Sequence, residues 1–203
     1  MKKLITILLV LISLSTFSQK VYDTYESSYF NKTYDIKLSY KDSTDFIIWI
    51  KCTSLDKIHS KDGEYSISYK QYEKFINSLQ EAKQKYIEWV KTAKENNVKD
   101  LLKHMDLENK CKVDAAFIYG DWQFQFDFKP KFDFMILDGD TKVKYLLLIK
   151  SGELVSSSNQ FMKVDGIVIV LSSVKEIEDL LNKISLTKIK EIINKPKTED
   201  LFK

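Results

Sequence analysis

The chain carries what reads as the same structural unit twice, and this constrains its fold more than any other feature. Tyr34-Asp35-Ile36 is matched by Phe132-Asp133-Phe134, and the run Phe46–Lys51 by Tyr145–Lys150. Asp62-Gly63 is matched by Asp165-Gly166, and the segment Ser68–Leu79 by Ser173–Ile184. The offset grows from about 98 to about 105 residues, as small loop insertions allow. Local signals that recur in the same order predict the same local structure.

Phe46–Ile50 and Tyr145–Ile149 are apolar at consecutive positions and rich in β-branched and aromatic residues. That pattern predicts strands covered on both faces. Polar turns precede them, Lys41-Asp42-Ser43-Thr44 and Asp138-Gly139-Asp140-Thr141, and the two Asp-Gly pairs read as two-residue hairpin turns. Each unit is then an antiparallel meander ending in a helix. Ser68 with Gln71 and Ser173 with Glu176 fit the capping box, in which the cap hydroxyl and the N3 side chain satisfy exposed backbone donors.

The first helix carries Tyr72, Phe75, Ile76, Leu79, Tyr86, Trp89, Val90 and Ala93 at helical spacing and ends near Asn96-Asn97. A shorter helix with Val98, Leu101, Leu102 and Met105 is expected after it. The second long helix carries Ile177, Leu180, Leu181, Ile184, Ile189, Ile192 and Ile193 and is stopped by Pro196. Trp49 and Trp89 are expected in the core. Between the units, Trp122, Phe124, Phe126 and Phe128 alternate with polar residues, a strand whose apolar face reads as core rather than as a ligand platform.

The expected architecture is α+β: two tandem antiparallel β-meander–helix units, an internal duplication with a pseudo-two-fold axis, sharing a joined sheet with helices packed on it. The first unit spans residues 19–110 and the second 111–203. Residues 1–18 read as a signal peptide: Lys2 and Lys3, an apolar run from Leu4 to Leu14, then Thr16 and Ser18 at −3 and −1, with cleavage before Gln19. The run falls short of the ~20 residues that span a bilayer. The mature chain is therefore expected in the periplasm or outside the cell, without stable membrane insertion.

Every basic residue is Lys. Without Lys2 and Lys3, 30 lysines face 29 acids, a net charge of +1. Neither a basic field nor the bidentate Arg reader of phosphate and guanine is present, which argues against nucleic acid as a partner. Cys52 and Cys111 are the two cysteines. Export permits a disulfide between them, and two buried free thiols in separate units are the other reading.

The chain contains no GxSxG, HExxH, P-loop or dinucleotide-binding glycine motif. His59 and His104 are too few for most histidine-based metal sites, and Asp138-Gly139-Asp140 lacks the further ligands of a calcium loop. Neither a cofactor nor a metal is expected, and no catalytic residue is identified. A Cys–His pair or paired carboxylates such as Asp35 and Asp133 would have to be assembled by the fold. The functional expectation is a secreted or periplasmic non-enzymatic binding module for a protein or polymer, of which inhibitors and immunity-type proteins are special cases. The alternative is an exported hydrolase of envelope or extracellular polymers.

Overall fold

A computed structural model describes residues 19–56, 62–139 and 142–195. The cleavage point before Gln19 and the stop at Pro196 concern residues outside that set, as do His59, Asp140 and Thr141. The described chain is α+β: a large antiparallel sheet with helices packed on one face.

Four strands come first: β1 (Lys20–Ser27), β2 (Lys32–Asp42), β3 (Asp45–Ser54) and β4 (Asp62–Ser68). The long helix α1 (Tyr69–Glu95) follows. Then come β5 (Leu101–His104), β6 (Val113–Tyr119), β7 (Asp121–Phe128), β8 (Lys131–Leu137) and β9 (Lys144–Lys150). A small hairpin, β10 (Leu154–Val155) with β11 (Lys163–Val164), precedes β12 (Ile167–Leu171), α2 (Val174–Lys183) and α3 (Leu186–Ile193). The sheet runs β5-β8-β9-β12-β3-β4-β6-β7, and β1–β2 branches from β3. One edge of β3 is therefore shared: β2 pairs along Asp45–Ile50, and β12 takes over at Thr53–Ser54.

The order β2-β3-β4-α1 recurs as β8-β9-β12-α2. The symmetry differs from the expected two-fold. β3 is antiparallel to β12 and β12 to β9, so β3 and β9 point the same way, and both groups step across the sheet in the same direction. A two-fold axis would reverse both. The two groups are related by translation along the sheet. The residue equivalences also fail. Aligning Gly63 with Gly166 matches Tyr65 to Val168, yet Tyr65 lies opposite Ile50 and Val168 opposite Lys150. That one-residue slip puts the two side chains on opposite faces, Tyr65 toward the helices and Val168 away. Topology recurs; residue-by-residue duplication is not established. The chain also crosses position 110: β5 joins the β8 group, and β6–β7 join β4.

Neither Asp-Gly pair is a hairpin turn. Asp62 and Gly63 open β4, opposite Thr53 and Cys52. Gly63 is a point of close approach, where a Cβ would meet Ile167 Cγ2 at 2.2 Å. Gly166 sits in the bend before β12 at φ +112°.

A single core runs through both groups. Phe46, Ile48, Ile50, Tyr65, Ile67, Phe134, Ile149 and Ile169 meet Phe75, Leu79 and Tyr86 of α1, Ile177 and Leu180 of α2, and Ile189 of α3. Burial on both faces holds for β9 and β12: Leu146, Leu148, Val168 and Val170 form a second small cluster on the outer side. In β3 it does not hold. Ile47, Trp49 and Lys51 are half-buried on the outer face, beside the polar Lys37, Ser39 and Ser66.

The helix starts follow the sequence closely. Gln71 Oε1 accepts from the Ser68 N–H at 3.0 Å, and Ser173 Oγ from the Glu176 N–H at 3.1 Å. The Glu176 carboxylate reaches back one residue further than a capping box requires, to the Ser172 N–H at 2.8 Å. α1 ends where expected, with Asn97 left-handed at φ 53°. Two helical expectations are corrected. Leu101–His104 forms the edge strand β5 on β8, tertiary pairing having overridden a short helical pattern. The second long helix is two helices, because Ser185 caps α3 by accepting from the Lys188 N–H.

β1 holds these last helices in place. The Tyr22 hydroxyl donates to the Lys183 carbonyl at 3.1 Å, and the Asp23 carboxylate binds Lys188 and lies 3.9 Å from Lys183. Burial pushes the Asp23 carboxyl up, but the hydrogen bonds from Lys188 and the Thr24 N–H, with the two lysine charges, outweigh it and hold it below the usual range. A lowered folded pKa stabilises the protein above the unfolded value of about 3.9 and is lost as pH falls through the folded value. Asp23→Asn should therefore lower stability at pH 7 by up to about 1 kcal/mol, and the difference should shrink as pH falls from 7 to below the unfolded value. Urea midpoints of both proteins across that range test this; a difference independent of pH would contradict it.

Candidate functional site

β7 is where the structure departs most from the sequence reading. Trp122, Phe124 and Phe126 are 46%, 40% and 60% exposed, on the sheet face opposite the helices. The expectation that they pack in the core is wrong, and the reason lies in the intervening glutamines. Gln123 and Gln125 point to the helix side, where polar partners await them. The Gln125 Oε1 accepts from the Val155 N–H at 2.7 Å, and Gln123 Oε1 from the Ser156 hydroxyl at 2.8 Å. With the polar face satisfied by the β10–β11 segment, the aromatic face is turned outward.

The row stops at a β-bulge. Asp127 is left-handed at φ 54°, and its N–H donates to Asp114 Oδ1 at 2.8 Å. The same oxygen accepts from Gln71 Nε2 at 3.1 Å, anchoring the bulge to the start of α1. The extra residue turns Phe128 inward onto Tyr65, with ring centroids 5.9 Å apart. Phe124 and Phe126 remain outside with parallel rings, 6.3 Å between centroids and 4° between planes.

Beside the row lies a groove of about 300 Å³ lined by Gln19, Lys37, Trp49, Glu64, Ala116, Trp122 and Phe124. Cross-strand pairing explains the grouping: Lys37 opposes Trp49, Glu64 opposes Ala116, and Ala116 opposes Phe124, all on one face. Lys37 Nζ and Glu64 Oε1 pair at 2.5 Å, with the carboxylate almost fully buried. Trp49 Nε1–H donates to Ser39 Oγ at 3.3 Å, so the indole stands as a fixed wall instead of filling the core. The edge of β7 is partly closed, because the Ser157 N–H donates to the Phe124 carbonyl at 2.8 Å. The loop that starts at Ser157 carries Phe161, 81% exposed.

The other sequence candidates are scattered. Cys52 and Cys111 are both buried free thiols. Cys52 Sγ–H faces the carbonyls of Gly63 (3.4 Å) and Ile50 (3.5 Å), and burial pushes both thiols up. His104 and Cys111 touch one cavity of about 260 Å³, but their side chains diverge. Cys111 belongs to the core, whereas the His104 ring turns to Asp133 on the outer face, Nδ1 to Oδ1 2.9 Å. No hydrogen bond joins that thiol to a histidine among the described residues. Asp133 also pairs with Lys150 at 2.5 Å, while Asp35 lies on β2 opposite Thr24. The two carboxylates stand in separate settings. No group of three or more His, Cys, Asp or Glu able to hold a metal ion occurs among the described residues.

A concavity of about 1020 Å³ lies between α1 and α2. Its lining includes the amides of Gln80, Gln84 and Asn182, and the ion pair of Lys83 with Glu178 (3.2 Å) borders it. It gathers no reactive set. No helix among the described residues is long and apolar enough to cross a membrane. Comparison with known proteins gave no match, whether to family models, to curated proteins or to solved structures.

Proposed function

We propose that this chain is an exported, non-enzymatic binding module of the periplasm or extracellular space, and that it meets its partner through the outer face of β7. The observation that carries this is the solvent-facing row Trp122, Phe124 and Phe126 beside the Trp49 groove. Exposed apolar patches of contiguous large side chains mark contact surfaces, and aromatic residues supply most of the energy in such contacts. The bulge at Asp127 and the buried Lys37–Glu64 pair hold the surface in one shape without a partner present, which reduces the ordering cost of binding. An inhibitor or immunity-type role is a special case of this reading.

The mature protein, immobilised and exposed to envelope extract of its own source, should retain a partner that the Trp122→Thr/Phe124→Thr/Phe126→Thr variant does not. Equal retention by both proteins would sink the assignment of this face. One observation favours an exported hydrolase as the second reading: the buried Asp133 orients the exposed His104 as carboxylates orient catalytic bases. No hydroxyl or thiol is hydrogen-bonded to that ring among the described residues, so the binding reading stands first.

A further inference from the structure

We propose that the protein pairs with a second copy of itself through β5, edge to edge and in one register. β5 lies at the opposite end of the sheet order from β7, so the proposal does not depend on the partner face above. Its residues Leu101–His104 are all exposed, and it pairs with β8 and with no other strand among the described residues. Ser157 partly closes the β7 edge, whereas no backbone group caps β5 among the described residues. Lysine often guards such an edge, but Lys103 Nζ is turned away onto the Trp89 ring at 4.4 Å.

The hydrogen-bond phase decides which groups face outward. The Met105 N–H donates to the Phe132 carbonyl at 2.8 Å, and bonded positions alternate along the pair from there. Leu101 and Lys103 therefore bond β8, whereas Leu102 and His104 turn their N–H and C=O to the free edge. Two antiparallel copies join only where outward residues meet outward residues. Charge then selects among the registers. Centring on Lys103 opposes two lysines, centring on His104 opposes two histidines, and centring on Leu101 sets Lys103 against Lys99. Centring on Leu102 opposes no like charges. Leu102 then meets Leu102 of the second copy, Leu101 meets Lys103, and Asp100 meets His104, an acid against a base at both ends. This self-complementarity commits the edge to a second copy. Leu102 is 59% exposed and stands opposite Met135, which packs on the outer apolar cluster, so the leucine pair would extend that cluster across the axis. The contact is short and falls in the weak, transient class of interface, below about 1,200 Å². Both β7 faces stay free at the far ends, which makes the dimer bivalent.

Sedimentation of the mature protein across the micromolar range, with amide exchange followed by NMR, tests this. A monomer–dimer equilibrium is expected, with the Leu102 and His104 amides exchanging more slowly as dimer forms and those of Leu101 and Lys103 changing less. Leu102→Asp sets two carboxylates face to face and should leave a monomer. Asp100→Lys, just outside the strand, should weaken the dimer roughly tenfold, and it decides alone if Leu102→Asp fails to fold. A monomer at every concentration, or a dimer that survives these substitutions, overturns the proposal. So does protection of the Leu102 and His104 amides in a monomer, which would assign the edge to a segment of the same chain. Protection gained only with an unrelated extended peptide, the protein staying monomeric, would overturn it in favour of a foreign strand.

Discussion

Gly166→Ala should destabilise the protein by about 3–5 kcal/mol, the sum of backbone strain and overpacking at a site that admits neither. Gly166 has φ +112°, a conformation that side chains rarely adopt. A Cβ there would stand 2.0 Å from the Gly152 carbonyl oxygen and 2.7 Å from Ser151 Oγ. These are fixed groups. Ser151 Oγ accepts from the Ile167 N–H at 2.9 Å, and the Gly166 carbonyl accepts from the Leu55 N–H at 2.8 Å. The position thus ties the ends of β3 and β9 to the start of β12. Gly152→Ala is the natural comparison: φ is +74° but nothing lies within 4 Å, so a loss nearer 1 kcal/mol is expected. Urea unfolding of the two variants separates the cases, and a loss at Gly166 no larger than at Gly152 would contradict the packing described.

Phe134→Ala should cost about 3–5 kcal/mol, a large share of the roughly 5–15 kcal/mol that holds most domains together. Phe134 is fully buried on β8 and is the hub between the second strand group and α1. Tyr86 and Trp89 meet its ring edge-on at 5.8 and 5.7 Å, and Tyr145 stacks at 6.4 Å. Removing it leaves a cavity between helix and sheet that rigid neighbours on both sides cannot fill. Trp89 itself is half-buried, with Lys103 Nζ over its ring at 4.4 Å, and should cost less. A denaturant midpoint unchanged by Phe134→Ala would mean that α1 does not rest on β8 as described.

Local signals were legible wherever one residue type had one physical role. Ser68 with Gln71 and Ser173 with Glu176 located two helix starts, and Asn96-Asn97 located a helix end, because capping chemistry acts within a few residues. The apolar stripe from Phe75 to Ala93 identified the buried face of α1 for the same reason. What the sequence hid depended on partners distant in the chain. Gly63 and Gly166 looked like turn residues, but Gly63 is crowded by the Ile167 side chain of β12, and Gly166 by its own positive φ and the Ser151-Gly152 segment after β9. The recurrence of similar runs suggested a two-fold, whereas strand direction, which local pattern does not encode, makes the relation a translation.

The aromatic row shows the limit most clearly. Alternation told that Trp122, Phe124 and Phe126 share a face, and the usual rule assigned that face to the core. The rule failed because Gln123 and Gln125 find hydrogen bonds about thirty residues away, at Val155 and Ser156. A polar face can be buried when its partners are provided, and nothing near β7 in sequence announces them. The exposed bulge residue Asp127 is the one local hint, since Asp tolerates the left-handed conformation that ends the row.

The central claim is that this row is a surface built for contact and contributes little to folding. Equilibrium urea unfolding of the Trp122→Thr/Phe124→Thr/Phe126→Thr variant tests it most directly, since threonine keeps the strand preference while removing three rings. Three partly exposed rings should together cost less than about 2 kcal/mol, below the loss from Phe134→Ala alone. A loss exceeding that of Phe134→Ala would place the row in the core and contradict the account.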